Sequence, residues 1–249
     1  MPHSPEVVAA ASPGVRGRRA AAWIGGCVIG LTACVTLDLP SIAHVHVGHA
    51  ITSWTDTPGQ RGLFDVAQAE AAVAAEHAGY AVEGARDPAA VRLHLGHVLH
   101  AADPTHEPTG PGTGYGLVRA MDGCIDHLGY ANEVRDTSAN LRAGLPKVLA
   151  VLQPLQREAR AVAALAAEGR RAADVAQAAA YAQEVRQRSE HVLARLALAR
   201  QQLSTLLAAE QPPYRTVPRR YLFGLIRLPS GDWAFDLSPA PAQPMGGYR

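Results

Sequence analysis

The chain has 249 residues and a net charge of +1, with an apolar fraction supplied mainly by alanine and only three each of phenylalanine and tryptophan. That length suits a single core once a leader is set aside, the alanine-rich composition favours closely packed helices over a sheet core, and the near-neutral charge excludes the basic face that phosphate recognition requires. A disulfide framework is excluded as well: two of the three cysteines, Cys27 and Cys34, lie in the N-terminal segment, and no C-x-x-C-H run exists to attach a c-type haem.

Residues 16–19 read RGRR, an apolar run fills 20–37, and Ser41-Ile42-Ala43 follows Pro40. A charged region, an apolar stretch and small residues in that order form the pattern of an export signal ending near residue 43. Cleavage after Ala43 is one outcome. A second is lipidation of Cys34, because Leu31-Thr32-Ala33-Cys34 matches a bacterial lipobox, and a third is an uncleaved anchor. All three place the rest of the chain outside the cytoplasm, in the periplasm or held at the membrane facing it. The expected organisation is a leader at 1–43, a helical bundle domain at 44–211 and an extended tail at 212–249.

Helical periodicity governs the middle segment. Leu63, Val66, Glu70, Val73, His77 and Tyr80 recur at steps of three and four, which puts them on one helix face. Asp87-Pro88 opens a second helix that stops before Pro104, and a third covers about Leu117 to Val134, after the Gly-rich run at 110–116. Amides of that run could cradle an anion, but no strand precedes it and no Lys-Ser/Thr pair follows, so a connection between helices is the reading preferred over a nucleotide loop. Two long stripes come next, Leu141 to Ala166 and Val175 to Leu206, each keeping a 4,3 spacing, with Pro146 placed to bend the first. Together they predict a long antiparallel helical hairpin. After Pro212-Pro213 the runs RYLFGLIRL and DWAFDL around Pro229-Ser230-Gly231 suggest a short β-hairpin or extended tail, and the last residues, PAPAQPMGGYR, are expected to be disordered. The fold class is therefore all-α, an antiparallel bundle with a small C-terminal β element.

Chemistry is concentrated in histidine. Eight of the 11 histidines fall between positions 44 and 106. His94, His97 and His100 step along a helix by threes beside an apolar stripe, and His46 and His49 have the same spacing if their segment is helical. Neutral imidazole binds zinc, copper, nickel or iron, so His44, His46, His49, His94, His97 and His100 are the candidate ligands, with His94, His97 and His49 or His46 expected to share one site and His100 to contribute less. Bis-histidine haem is the related alternative, requiring two of these residues on facing helices. Cleavage after Ala43 would put His44 at a new N-terminus, where amine and ring could grip copper together. The competing class is a structural protein of the cell envelope that docks a partner through its helical hairpin and leaves the histidines solvated. No Ser/His/Asp or Cys/His arrangement stands out, so an enzyme is the third choice.

The blocks HVHVGHAITSWTDTPGQRGLF, HLGHVLHAADP and GPGTGYG resemble a family of exported, helical, His-containing bacterial proteins. The resemblance spans about residues 44 to 140. It implies an exported helical domain and carries over no functional residues.

Overall fold

A computed structural model describes residues 41–211 and, beyond them, 214, 219–220, 223, 225–228 and 233–235. The chain divides into two compact units, Met1–Leu37 and Asp38–Arg249, and all described residues belong to the second. The leader, with Cys27 and Cys34, and the PAPAQPMGGYR end lie outside the described residues.

Among the described residues six α-helices make the fold: α1 (Ile42–Ile51), α2 (Leu63–Glu83), α3 (Pro88–Ala102), α4 (Leu117–Glu133), α5 (Ala139–Arg171) and α6 (Val175–Ala208). Three short antiparallel strands follow, β1 (Arg219–Arg220), β2 (Leu225–Arg227) and β3 (Trp233–Phe235), with β2 in the middle. The protein is thus all-α with a small C-terminal sheet. No described helix is long and apolar enough to cross a membrane.

Helix starts follow from their capping residues. Asp87 accepts a hydrogen bond from the Ala89 amide at the head of α3, Ser138 from Leu141 at α5, and Asp174 from Gln177 at α6. Each satisfies a donor that the helix itself leaves unpaired. At α1, Ser41 accepts from the His44 amide, and the Asp136 carboxylate between α4 and α5 accepts from the amides of Ile42 (2.6 Å) and Ala43 (3.2 Å). The start of α1 is thereby fixed across the fold to the α4–α5 connection, and the expected leader boundary at 43 falls inside this helix, at a fully buried alanine.

The long hairpin forms as its spacing implies: from Leu141 to Ala166 and from Ala178 to Leu203 the stripe residues are buried between α5 and their neighbours, and only Val175 and Leu206 at the ends escape full burial. Pro146 and Pro154 both lie within continuous α5. In α2 the buried face is rotated from the expected one. Leu63, Val66 and Glu70 are fully buried, but further along Ala71, Ala74, Ala78 and Ala81 take the inward positions, leaving His77 half-buried and Tyr80 exposed. Alanine explains the rotation, since a line of methyl groups lets α3 and α6 lie close against α2, and larger residues move to the edge of the seam. His77 is therefore placed at the rim between α2 and α3, where side chains from both helices meet.

Packing pairs the first four helices in a crossed manner. α1 lies chiefly on α4 and α3 on α2, while α2 and α4 pack on each other at the centre. Gly62, just before α2, makes part of this possible: a Cβ there would stand 2.4 Å from the Ile51 carbonyl carbon, so the end of α1 rests directly on backbone.

Two three-histidine clusters as candidate metal centres

α1 presents His46 and His49 one turn apart, and α4 presents His127 to them. His46 Nδ1 and His127 Nδ1 are 3.1 Å apart, and the His49 and His127 rings meet edge-on with centroids 4.7 Å apart. α3 presents His94 and His97 in the same way, and α2 supplies His77. His77 Nδ1 is 3.1 Å from His94 Nδ1 and 3.3 Å from His97 Nδ1. In each group one ligand atom per residue lies within 4.8 Å of those of the other two, so both clusters could hold a metal ion.

Four of these rings are harder to protonate than a free imidazole. Burial first, then the proximity of His49 and His46, pushes His127 down to about 4. His77 is lowered by burial and by His97 and His94, and His97 by burial and His94, with Glu107 opposing. Burial also lowers His46, against the pull of Asp136. A neutral imidazole has one N–H and one lone pair, and His77 Nδ1 faces two other Nδ1 atoms. A single proton can bridge one of those pairs and not both. A cation among the three nitrogens would engage all their lone pairs, and tetrahedral ligands at the usual zinc–nitrogen distance sit about 3.3 Å from one another, close to the separations found.

Aromatic rings wall both groups. Tyr80 stands 5.4 Å from His77 and 5.3 Å from His94 between ring centroids, and donates its hydroxyl to Glu76. Tyr130 stands 5.3 Å from His46, while Trp54 lies 4.5 Å from His49 and 4.6 Å from His127.

The remaining candidates go elsewhere. His94 and His97 share no site with His46 or His49; the two pairs belong to different clusters. His44 is occupied on both ring nitrogens, by Ser41 Oγ at 2.8 Å and Glu210 Oε2 at 2.9 Å. His100 is buried, its Nδ1 bonded to the Glu107 carbonyl at 2.7 Å, and the chain at Gly110 packs flat on its ring. It sits inside the fold and belongs to neither cluster. The anion cradled by the Gly-rich run proves to be internal: Glu70 Oε1 accepts from the amides of Thr113, Tyr115 and Gly116 and from the Thr113 hydroxyl. Gly112 adopts a φ of +119° against the other carboxylate oxygen, a conformation and a closeness that only glycine allows. Glu70 thus pins the α3–α4 loop and belongs to neither histidine cluster.

His77 and His127 complete the clusters and were not among the expected ligands. The signal that picks them out is a repeated word, Glu76-His77-Ala78-Gly79-Tyr80-Ala81 and Asp126-His127-Leu128-Gly129-Tyr130-Ala131. No family model, curated protein or solved structure matches this chain.

Proposed function

We propose that this is an exported protein that binds a transition-metal ion through three converging imidazoles. The observation that carries this reading is the triple contact at His77, where the Nδ1 atoms of His94 and His97 stand 3.1 and 3.3 Å from its own. Zinc, copper and nickel all accept such a donor set. The histidine clusters favour a bare ion over haem, because axial haem ligands approach the iron from opposite sides, whereas these nitrogens crowd around one point. The leader pattern supports a place in the cell envelope.

Three ligands leave a coordination position open, and the rings of both clusters are only half-buried, so a bound ion is within reach of solvent. Binding and release of an ion are the chemistry such a site supports. The test is thermal melting with and without zinc, copper and nickel. Wild type should gain stability with at least one of them by mass action, about 2.7 kcal/mol at a hundred-fold excess over Kd, and the double variant His77→Ala, His127→Ala should gain nothing. Equal melting temperatures for wild type with every ion would overturn the reading.

A further inference from the structure

Two stretches of the chain repeat each other. Val45-His46-Val47-Gly48-His49-Ala50-Ile51 corresponds to Leu93-His94-Leu95-Gly96-His97-Val98-Leu99, identical at both histidines and the glycine and apolar at every other position. Glu76 to Glu83 corresponds to Asp126 to Glu133, identical at His, Gly, Tyr, Ala and the final Glu. Each copy is a helix carrying H-x-x-H, a long connection, and a helix carrying the H-x-G-Y-A word: α1 with α2, then α3 with α4.

The copies do not form their sites separately. α1 packs on α4 and α3 on α2, so the H-x-x-H pair of each copy receives its third histidine from the other. The two products agree ring by ring. His77–His94 and His127–His46 both have centroids 5.3 Å apart, at 28° and 34°. His77–His97 and His127–His49 meet edge-on at 4.6 and 4.7 Å. His94–His97 and His46–His49 stand at 5.8 and 5.9 Å, again edge-on. Tyr80 faces His94 and Tyr130 faces His46 at the same 5.3 Å.

Helix packing alone would keep the apolar positions and let the half-buried rim vary. Here the half-buried rim is kept as well, down to the distances between imidazoles, while the inward Ala78 and Leu128 differ in size. We propose that the two clusters are one metal site built twice by reciprocal exchange between duplicated units, so that the protein holds two ions of the same element, one clamping α1 to α4 and the other α2 to α3. This rests on the metal-binding reading above and adds to it the stoichiometry, the equivalence of the sites and the dependence of each on both copies.

Trp54 gives the two sites separate readouts, since its ring stands against His49 and His127 of one cluster and against no ligand of the other, His77, His94 and His97. Full-length protein carrying Trp23→Phe and Trp233→Phe would be incubated with an equimolar mixture of zinc, copper and nickel salts, separated from free ions and analysed for bound metal, with Trp54 emission followed in a parallel titration with copper(II). The expected result is two ions per chain of one element in the parent, one of that element in His77→Ala and one in His127→Ala, with copper quenching Trp54 in the former and not in the latter. His94→Ala and His46→Ala supply the same comparison should either first variant fail to fold, checked by circular dichroism. One ion in the parent, or different elements retained by the two single-site variants, would overturn the twin-site proposal and leave metal binding intact. No bound ion in the parent would overturn both.

Discussion

His127 and His46, 81 residues apart in the chain, bring their Nδ1 atoms to 3.1 Å because the Asp136 carboxylate fixes the first turn of α1 beside the end of α4. Asp136 reaches no histidine by a hydrogen bond of its own among the described residues, yet it sets where α1 lies. Its substitution by alanine should loosen α1 and halve the metal content, with the His77 cluster unaffected. Elemental analysis of Asp136→Ala alongside Trp54 emission measures this, and retention of both ions would show that the other contacts of α1, among them His44 with Glu210, suffice to hold it.

His100 and His97 are neighbours on α3 with opposite roles. Replacing His100 by alanine leaves the Glu107 carbonyl without its buried partner and opens a void under the loop, at a cost of about 1–3 kcal/mol, but should not change the number of ions bound. His97→Ala should cost less stability in the absence of metal and lose one ion. Denaturant unfolding paired with metal analysis distinguishes the two, and loss of an ion in His100→Ala would contradict the assignment.

Glu70 should be among the most sensitive positions for folding. Alanine there strands the amides of Thr113, Tyr115 and Gly116 in a buried setting, and a loss on the order of 3 kcal/mol or more is expected. Glutamine keeps one acceptor oxygen and should fall between. Urea midpoints of Glu70→Ala and Glu70→Gln test the order, and a wild-type midpoint for the alanine variant would rule out the role given to this carboxylate.

Glu210 gives the fold an acid-sensitive element. Burial pushes its carboxyl up, but hydrogen bonds from Asn140, Ser138 and His44, with the His44 charge, outweigh that, and the net shift is down from the ordinary 4.5. A carboxyl lowered in the folded state contributes stability that is present above the unfolded value and lost as pH falls through the folded one. Wild type should therefore lose stability below about pH 4.5 more steeply than Glu210→Gln, read from denaturation midpoints across pH 3 to 7. Parallel curves would remove Glu210 from the account.

The helices were legible because their periodicity is a property of local sequence: α3, α5 and α6 start at capping side chains, and the α5–α6 stripes are buried as their pattern implies. The inward face of α2 was not, since alanine carries too weak an apolar signal to outweigh Val73 and Tyr80 in a face assignment, although its small size is what decides the packing. Of the site, the H-x-x-H pairs could be read from spacing alone. Their third ligands could not, because His77 and His127 are recruited across the bundle by tertiary contacts; only comparison of the chain with itself connects them to the pairs. His100 shows the reverse case, a residue in the right pattern that a loop covers and bonds.

X-ray absorption at the metal edge of the loaded protein reads which atoms surround the ion. With the ion that binds best, the account predicts a first shell of three imidazole nitrogens, with the multiple-scattering features of histidine, at about 2.0–2.1 Å if the ion is zinc, and one further light ligand. His77→Ala and His127→Ala should each halve the signal without altering its shape. A shell of oxygens without imidazole scattering, or a spectrum unchanged when His77 and His127 are both replaced, would contradict it.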